Sequence, residues 1–483
     1  MKMRSFIFIL FSIVIMVEGA RVLHEDSIDI SVTDTYTTSV KKRVGLSTLN
    51  IGDSDKRRSE GFIPFQAAMK DMKPGVLRFP GGIEASSYLW ATAPSWEPSS
   101  HAPAFNTTSR WPNSDKSIVK DGKFVDAVNF DEFMTMSNAV GAEVTVVINF
   151  ESMYTEDGPS KELLVETAVR WVRYCKTKGY TNVRYWEIGN ETDMISSYNG
   201  MTSNATLYGN DAKDFIIAMK REDPSILVGI NGFHEDFIKS SFDIVGGYID
   251  FFVIHPYPFY GFTSGYTNFT EDDGTYSAKY DKVLEALDSS VISNDRKDAI
   301  FLMATETGVI DWKHIETGVG WGGNDVGHAF GMFEMLGRFM SYDRIRGILP
   351  WTSHWVNKTV TNKTVTNKTE IYNMLDEKNH FNPIAYGILP WTHAGDGRML
   401  QVEYSSSNIS VYALNNGTNT MVMMLNKMSY PVSISLKIDK QVLYAYSYRG
   451  ETAESKTIIV ENMDPKIPQV LKKFSITVVS FVN

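Results

Sequence analysis

Two glutamates, Glu191 and Glu306, each follow a short apolar run in a chain of 483 residues. The first ends the stretch Gly189-Asn190-Glu191, and the second lies in Ala304-Thr305-Glu306-Thr307-Gly308. Two carboxyl groups that face each other are the minimal apparatus for glycoside hydrolysis. One must be protonated to assist the leaving oxygen, and the other must be ionised to attack or stabilise the sugar carbon. Their surroundings must therefore push the two pKa values apart.

Further polar and aromatic side chains end other apolar runs and complete the candidate site. Asn190 can hydrogen-bond a sugar hydroxyl, and Tyr257 can donate a hydrogen bond to an ionised Glu306. Arg78 can either brace the carboxyl groups, lowering the pKa of one of them, or contact substrate. The remaining candidates for substrate contact are Asn149, His255 and Trp351.

The other titratable residues near these positions narrow the chemistry. Glu84 and Glu151 also lie near the ends of apolar runs and are rivals of Glu306, whereas Glu187 is expected to be a paired structural residue. His255 lacks a second ligand at metal-binding spacing. The single cysteine, Cys175, excludes a multi-cysteine metal site and an internal disulfide. The sequence therefore predicts neither a metal nor another cofactor.

Eight apolar runs must position these side chains, and helical patterns alternate with them. Most of the runs are β-branched or aromatic and almost continuously apolar, as strands buried on both faces should be. Eight β–α units predict a (β/α)8 barrel, with a doubly wound open sheet as the alternative. In a barrel, the candidate residues would converge at the C-terminal ends of the strands. The runs are Arg43–Leu49, Gly75–Phe79, Glu143–Asn149, Val183–Ile188, Ile226–Ile230, Ile249–His255, Ala299–Thr305 and Ile345–Trp351.

The pattern changes after residue 395 to short alternating strands separated by turn residues, which is typical of an all-β sandwich. The segment Ser27–Ser39 alternates in the same way and is expected to add a strand to this sandwich. The predicted α/β fold is therefore a TIM barrel with an additional C-terminal sandwich. Its predicted segments are a signal peptide (1–19), the N-terminal strand (20–42), the barrel (43–394) and the sandwich (395–483).

The N-terminus resembles a secretory signal. Lys2 and Arg4 precede an apolar run from Phe6 to Val17, and the run ends in small residues at Gly19 and Ala20. In a secreted protein, N-x-Ser/Thr triplets are candidate sites of N-glycosylation, and the chain carries several of them. These begin at Asn106, Asn204, Asn268, Asn357, Asn362, Asn367, Asn408 and Asn416, and the run that includes three Asn-Lys-Thr copies is expected to be a glycan-carrying loop.

Charge and hydropathy exclude two classes of partner. The net charge of −10 argues against binding to nucleic-acid phosphates, which requires clustered basic residues. The apolar run at the N-terminus is too short for a permanent membrane span, and no later stretch is long enough. A carbohydrate is the expected partner, and the sequence indicates no particular oligomeric state.

Two motifs carry a family resemblance. The stretch from Tyr185 to Glu191 resembles the Asn-Glu signature at the end of the fourth strand in glycoside hydrolase clan A. Arg78-Phe79-Pro80-Gly81-Gly82 resembles the second-strand motif of family 51 α-L-arabinofuranosidases, and Ala168–Glu191 is also similar to that family. The resemblance implies that Glu191 is the acid/base and Glu306 the nucleophile, with retention of anomeric configuration.

The chain departs from family 51 at three places. Ile83 follows the two glycines where that family usually has asparagine, and the context of Glu306 is closer to heparanase-like enzymes. The stretch Met374–Pro383 resembles β-agarase-like enzymes. The expected function is thus a secreted retaining O-glycoside hydrolase with α-L-arabinofuranosidase-like activity. The alternatives are an endo-acting β-glycanase of agarase-like or heparanase-like type, and a sugar-binding glycoprotein without catalysis.

Overall fold

A computed structural model describes residues 27–99, 119–120, 123–155, 158–194, 204–271, 275–355, 359–361, 364–366 and 370–483. The signal peptide predicted at 1–19 lies outside the described residues. The same holds for the sequons at Asn106, Asn357, Asn362 and Asn367. Among the described residues, no helix is both long enough and apolar enough to cross a membrane.

Parallel strands form a closed barrel. The first predicted run is split into Arg43–Val44, which pairs with the eighth strand, and Leu46–Ser47, which pairs with the second. Because both pieces belong to one stretch of chain, the sheet returns to its own first strand. This closure confirms the predicted barrel and excludes the open doubly wound sheet. The later barrel strands are Val76–Phe79, Glu143–Ile148, Val183–Ile188, Leu227–Asn231, Phe251–Ile254, Phe301–Ala304 and Ile345–Ile348.

Helices alternate with the strands of the barrel. They are Phe65–Met72, Phe130–Val140, Lys161–Lys178, Ala205–Glu222, Glu235–Val245, Tyr266–Glu271, Ala278–Asp288, Asn294–Ala299, Trp312–Thr317, Val326–Met340 and Leu389–Ala394. Short 3-10 turns lie at Asp55–Arg57, Glu151–Tyr154, Thr275–Ser277, Glu370–Tyr372 and Pro383–Gly387. The last turn and the helix after it follow the eighth strand and complete the eighth β–α unit.

The helix Lys161–Lys178 shows how local sequence fixes these elements. The Ser160 side chain accepts a hydrogen bond from the Leu163 N–H at its start, and Gly179 ends it in the left-handed conformation. Its buried face carries Trp171 and Cys175 at helical spacing. Cys175 is therefore a packing residue, and burial raises the pKa of its thiol.

The second sheet contains the N-terminal strand as predicted. Ile28–Tyr36 lies between Arg398–Tyr404, with which it is antiparallel, and Val432–Lys437, with which it is parallel. The other strands are Ile409–Asn415, Asn419–Asn426, Val442–Arg449, Ile459–Met463, Val470–Leu471 and Ser475–Val482. Hydrogen bonds join these described strands into one continuous sheet. Side chains of this sheet form a core, separate from that of the barrel, which includes Ile30, Val411, Val432 and Phe481.

Alternation along Asn419–Asn426 explains how this sheet joins the barrel. Met421, Met423 and Leu425 belong to the large core that includes the barrel helices, whereas Val422 and Met424 belong to the core of the β domain. Successive side chains of a strand point to opposite faces, so one strand serves both cores.

The Asn-Lys-Thr run is not only a loop. Backbone segments Thr359–Thr361 and Thr364–Thr366 within it pair as a two-stranded antiparallel hairpin. Threonine and valine alternate in both segments, and β-branched residues favour strands. A second short antiparallel pair joins Val119–Lys120 to Lys123–Phe124.

Candidate active site

The two predicted carboxyl groups meet at the C-terminal end of the barrel. Glu191 follows the fourth strand, Glu306 follows the seventh, and His255 follows the sixth. One ligand atom from each of these three side chains lies within 4.8 Å of the other two. His255 Nδ1 is 3.0 Å from Glu191 Oε1 and 3.8 Å from Glu306 Oε2, so the imidazole stands beside both carboxyl groups.

Glu306 is held by an ion pair and a phenol. Arg78 donates a hydrogen bond of 2.6 Å to Oε1, and the Tyr257 hydroxyl donates one of 3.1 Å to Oε2. A Cβ at Gly82 would lie 2.6 Å from Glu306 Oε1 and 2.9 Å from the Trp351 ring. The second glycine of the Pro-Gly-Gly motif therefore leaves the space in which this carboxylate and the indole meet.

Arg78 braces the site from beneath. Its guanidinium has no exposed surface and donates to Glu306, to Glu187 at 2.9 Å and to Asn190 Oδ1 at 2.8 Å. Burial opposes the charge, but Glu187 and Glu306 outweigh it and raise the pKa of Arg78. Of the two roles that the sequence allowed for Arg78, the structure gives the bracing role. Glu187 is paired as expected and lies directly under the site.

Glu191 sits on a constrained backbone. Its φ is 47°, in the left-handed region that side chains other than glycine rarely adopt. Glu151 Oε1 accepts hydrogen bonds from the residues on either side, the Asn190 N–H at 2.8 Å and the Thr192 hydroxyl at 2.7 Å. Asn231 Oδ1 accepts a bond from the Thr192 N–H. These buried acceptors fix the conformation in which Glu191 points at the site.

Gly189 leaves the space in which Glu151 makes these hydrogen bonds. Its φ is 78°, and a Cβ there would lie 2.3 Å from Glu151 Oε1. Glu151 is fully buried, and this burial raises the pKa of its carboxyl group. Glu151, one of the two sequence rivals of Glu306, thus holds the loop that carries Glu191, while Glu84 is buried behind the Pro-Gly-Gly turn, near Gly81.

Burial shifts the pKa values of two groups in the site, Glu191 and His255, in opposite directions. Burial raises the pKa of Glu191, with a smaller raising contribution from Asp193 and opposing contributions from Arg78 and Lys279. Burial also lowers the pKa of His255 to about 4. A carboxyl group with a raised pKa, beside an imidazole that is neutral above about pH 4, is suited to donating a proton.

The remaining predicted residues surround this centre. Asn190 is buried and accepts a hydrogen bond from Arg78. It also begins the sequon Asn190-Glu191-Thr192, but this burial is unsuited to glycosylation. Asn149 accepts a bond from Ser152 and donates one to the Tyr88 carbonyl. Trp351 is 5% exposed, and Tyr257 packs edge-on against a tryptophan of the helix Trp312–Thr317.

Two residues near the site were missed in the sequence. Asn231 ends the fifth strand, so the strand-end rule could have found it. Lys279 lies in the helix Ala278–Asp288 near His255, and no pattern in the sequence indicates it. The trio of Glu191, His255 and Glu306 also offers a cation two carboxylates and an imidazole, although the sequence predicts no metal.

A parallel barrel with two facing carboxyl groups at its C-terminal end, joined to an all-β domain, is the architecture of clan A glycoside hydrolases that the strand-end motifs indicated. Residues 68–257 match a family model described as the alpha-L-arabinofuranosidase 1 domain. This match confirms the resemblance to family 51-like enzymes stated from the sequence.

Two relatives and one solved structure support the same resemblance. A probable alpha-L-arabinofuranosidase C of Aspergillus flavus is 26% identical over 34% of this chain and 31% of its own length. A hyaluronoglucuronidase of Hirudo nipponia is 28% identical over 38% of each chain. The chain thus spans about a third of the length of these relatives. The alpha-L-arabinofuranosidase structure from Thermotoga maritima has the same fold, with a TM-score of 0.65 at 16% identity over 94% of this chain and 99% of the other.

Proposed function

We propose that the protein is a retaining O-glycoside hydrolase. The observation that carries this proposal is the short distance between the two carboxyl groups, whose ligand oxygens lie within 4.8 Å of each other. Retaining enzymes place the two groups about 5–5.5 Å apart, whereas inverting enzymes leave about 6.5–9.5 Å for a water molecule.

The different surroundings of the two carboxyl groups support different roles for them in this proposal. Glu306 attacks the anomeric carbon while Glu191 gives its proton to the leaving oxygen, which breaks the glycosidic bond and forms a glycosyl ester on Glu306. Glu191, now ionised, then takes a proton from the water that attacks the same carbon and releases Glu306. Arg78 and Tyr257 hold Glu306 in place through both steps.

Stereochemistry and variants test the mechanism. The first product formed should keep the anomeric configuration of the substrate when followed by NMR, and inversion would refute the proposal. Glu306→Gln should abolish turnover without unfolding the protein, while Glu166→Gln on an exposed helix face should leave turnover unchanged. Turnover should persist in a metal chelator, because no step needs a metal.

The favoured substrate is an α-L-arabinofuranoside. The support is the family model over residues 68–257 and the arabinofuranosidase relatives. An aryl α-L-arabinofuranoside and arabinan provide the direct assay. Binding of these sugars with no hydrolysis of any glycoside would instead favour a sugar-binding glycoprotein.

A second candidate is an endo-acting, heparanase-like glycanase. It is favoured by the similarity to the leech hyaluronoglucuronidase and by the context of Glu306. The product sizes released from glucuronic-acid polymers, agar-type galactan and arabinan separate the candidates. Monosaccharide release from arabinan supports the first, and oligosaccharide release from an acidic polymer supports the second.

We further propose that the protein is secreted and glycosylated. Asn204 is exposed at the start of a helix, while Asn268, Asn408 and Asn416 are half-buried. Expression in a secreting eukaryotic cell, followed by enzymatic removal of N-glycans, should increase electrophoretic mobility. An unchanged mobility would contradict glycosylation.

A further inference from the structure

A pocket of about 210 Å³ adjoins the two carboxyl groups. His255 and Tyr257 line it, and the same residues contact Glu191 and Glu306, so the pocket continues the active site. Its far wall contains Phe233, Lys279 and Lys282. A sugar unit next to the cleaved bond would reach this wall.

Lys279 is a cation without an acidic partner. Its Nζ donates a hydrogen bond to the Phe233 carbonyl and lies 3.9 Å from the centroid of the Phe233 ring. Within the described part of the chain, it forms no ion pair. Burial lowers its pKa to about 8, although Asp193 and Glu191 oppose this shift. The ammonium group thus has two N–H donors left and has lost part of its hydration.

Asp193 is the acidic group that could have neutralised this lysine, and it is engaged elsewhere. Its two carboxylate oxygens accept hydrogen bonds from the backbone N–H groups of Phe233 and His234. It therefore holds the loop that carries Phe233, whose side chain remains 41% exposed. The chain as a whole carries a charge of −10, so an unpaired cation here is a local feature.

A purely structural role does not account for Lys279. A hydrogen bond to one carbonyl oxygen needs no charge, and partial burial of a cation costs free energy when no anion pairs with it. The cost is offset when an anion enters the pocket, because charge-assisted hydrogen bonds are the stronger ones. Within a sugar-cleaving cleft, the carboxylate of a sugar acid is an anion that the substrate itself supplies.

We propose that Lys279, supported by Lys282, forms a subsite that binds the carboxylate of a uronic acid unit, with Phe233 offering apolar surface to the sugar ring. This proposal rests on the proposed glycosidase function and specifies its substrate class as acidic glycans. It is compatible with cleavage at an arabinofuranosyl unit that neighbours a uronic acid, and equally with cleavage within an acidic polymer.

The test compares each acidic oligosaccharide with its carboxyl-reduced form, in which the carboxylate becomes a primary alcohol. Tetrasaccharides from glucuronoxylan, pectin and hyaluronan, each paired with its reduced form, are titrated by calorimetry into Glu306→Gln protein. At least one pair should show binding about tenfold or more tighter for the acidic form. That preference should fall with added salt and above about pH 8, where Lys279 loses its charge.

Three variants in the same background identify the residue. Lys279→Met should abolish the preference for the acidic form, and Lys279→Arg should retain part of it. Lys213→Met is the matched control, because Lys213 also lies over an aromatic ring, that of Tyr248, in another helix. The proposal is overturned if no pair shows a preference, or if Lys279→Met weakens both forms equally, as a structural role would. Because binding is measured without turnover, failure of the proposed hydrolase activity would be seen separately in the wild-type protein.

Discussion

Replacing Arg78 by methionine would remove the counter-ion of two carboxylates at once. The methionine side chain has a similar reach but no charge, so Glu187 and Glu306 would be left unpaired. Both are almost fully buried, with exposures of 0% and 6%. The same change would free Asn190 Oδ1, which loses its bond to the guanidinium.

The cost follows from these contacts. Removing one partner of a buried ion pair costs about 3–5 kcal/mol, because the other charge stays buried without compensation. Since Arg78 serves two carboxylates, we expect a loss near the upper end, about 5 kcal/mol. Arg173→Met is the control, because its pair with Glu222 lies at the surface and is worth about 1 kcal/mol or less.

Urea unfolding and steady-state kinetics measure the two effects. The double variant Arg78→Met with Glu187→Gln should regain roughly half of the lost stability, because one buried charge is gone. It should not regain turnover, because Glu306 still lacks the donor that positions it, and misplacement by about 1 Å can cost about a hundredfold. Equal stability of Arg78→Met and Arg173→Met, or restored turnover in the double variant, would refute the reasoning.

Three further predictions concern the same site. Gly189→Ala should lower kcat strongly, because the added Cβ would lie 2.3 Å from Glu151 Oε1. Gly179→Ala is the control, because Gly179 has a similar positive φ and no atom within 4 Å of the added Cβ. It should lower the free energy of unfolding by about 1–2 kcal/mol and leave kcat unchanged. The pKa of His255 is about 4 in the folded state against an ordinary 6.5, so the unfolded chain binds more protons between these two pH values. The free energy of unfolding should therefore fall as the pH drops from 6.5 to about 4, and His255→Gln should remove this part of the pH dependence. Because Glu191 must be protonated to act, kcat/KM should fall as pH rises through its raised pKa, and Lys279→Met should move that fall to higher pH; an unmoved profile would count against Glu191 as the acid.

The barrel could be predicted because its strands are buried on both faces. Such strands are continuous apolar runs, and each catalytic candidate was found by asking which polar residue follows a run. The split of the first strand was not visible, since Arg43–Leu49 is one run in the sequence. The alternation after residue 395 predicted the β domain, but not the order in which its strands pair, because pairing depends on register, which alternation alone does not specify.

The residues around the two carboxyl groups were harder to predict than the carboxyl groups themselves. Glu151 was expected only as a rival nucleophile, yet it holds the loop of Glu191. Its role depends on the direction of a side chain after the third and fourth strands pair, and strand-end position does not give that direction. Lys279 reaches Phe233 across 46 residues of sequence, so only the folded chain brings them together.

The asymmetry between the two carboxyl groups also explains why their roles are not interchangeable. If the roles were exchanged, the proton donor would be Glu306, which is already in an ion pair with Arg78. The nucleophile would then be Glu191, whose pKa is raised by burial and whose neighbour His255 is neutral. Each residue would have to work against its own surroundings. Arg78 joins the second, fourth and seventh strands through one buried cluster, so the packing at the end of the barrel sets this asymmetry.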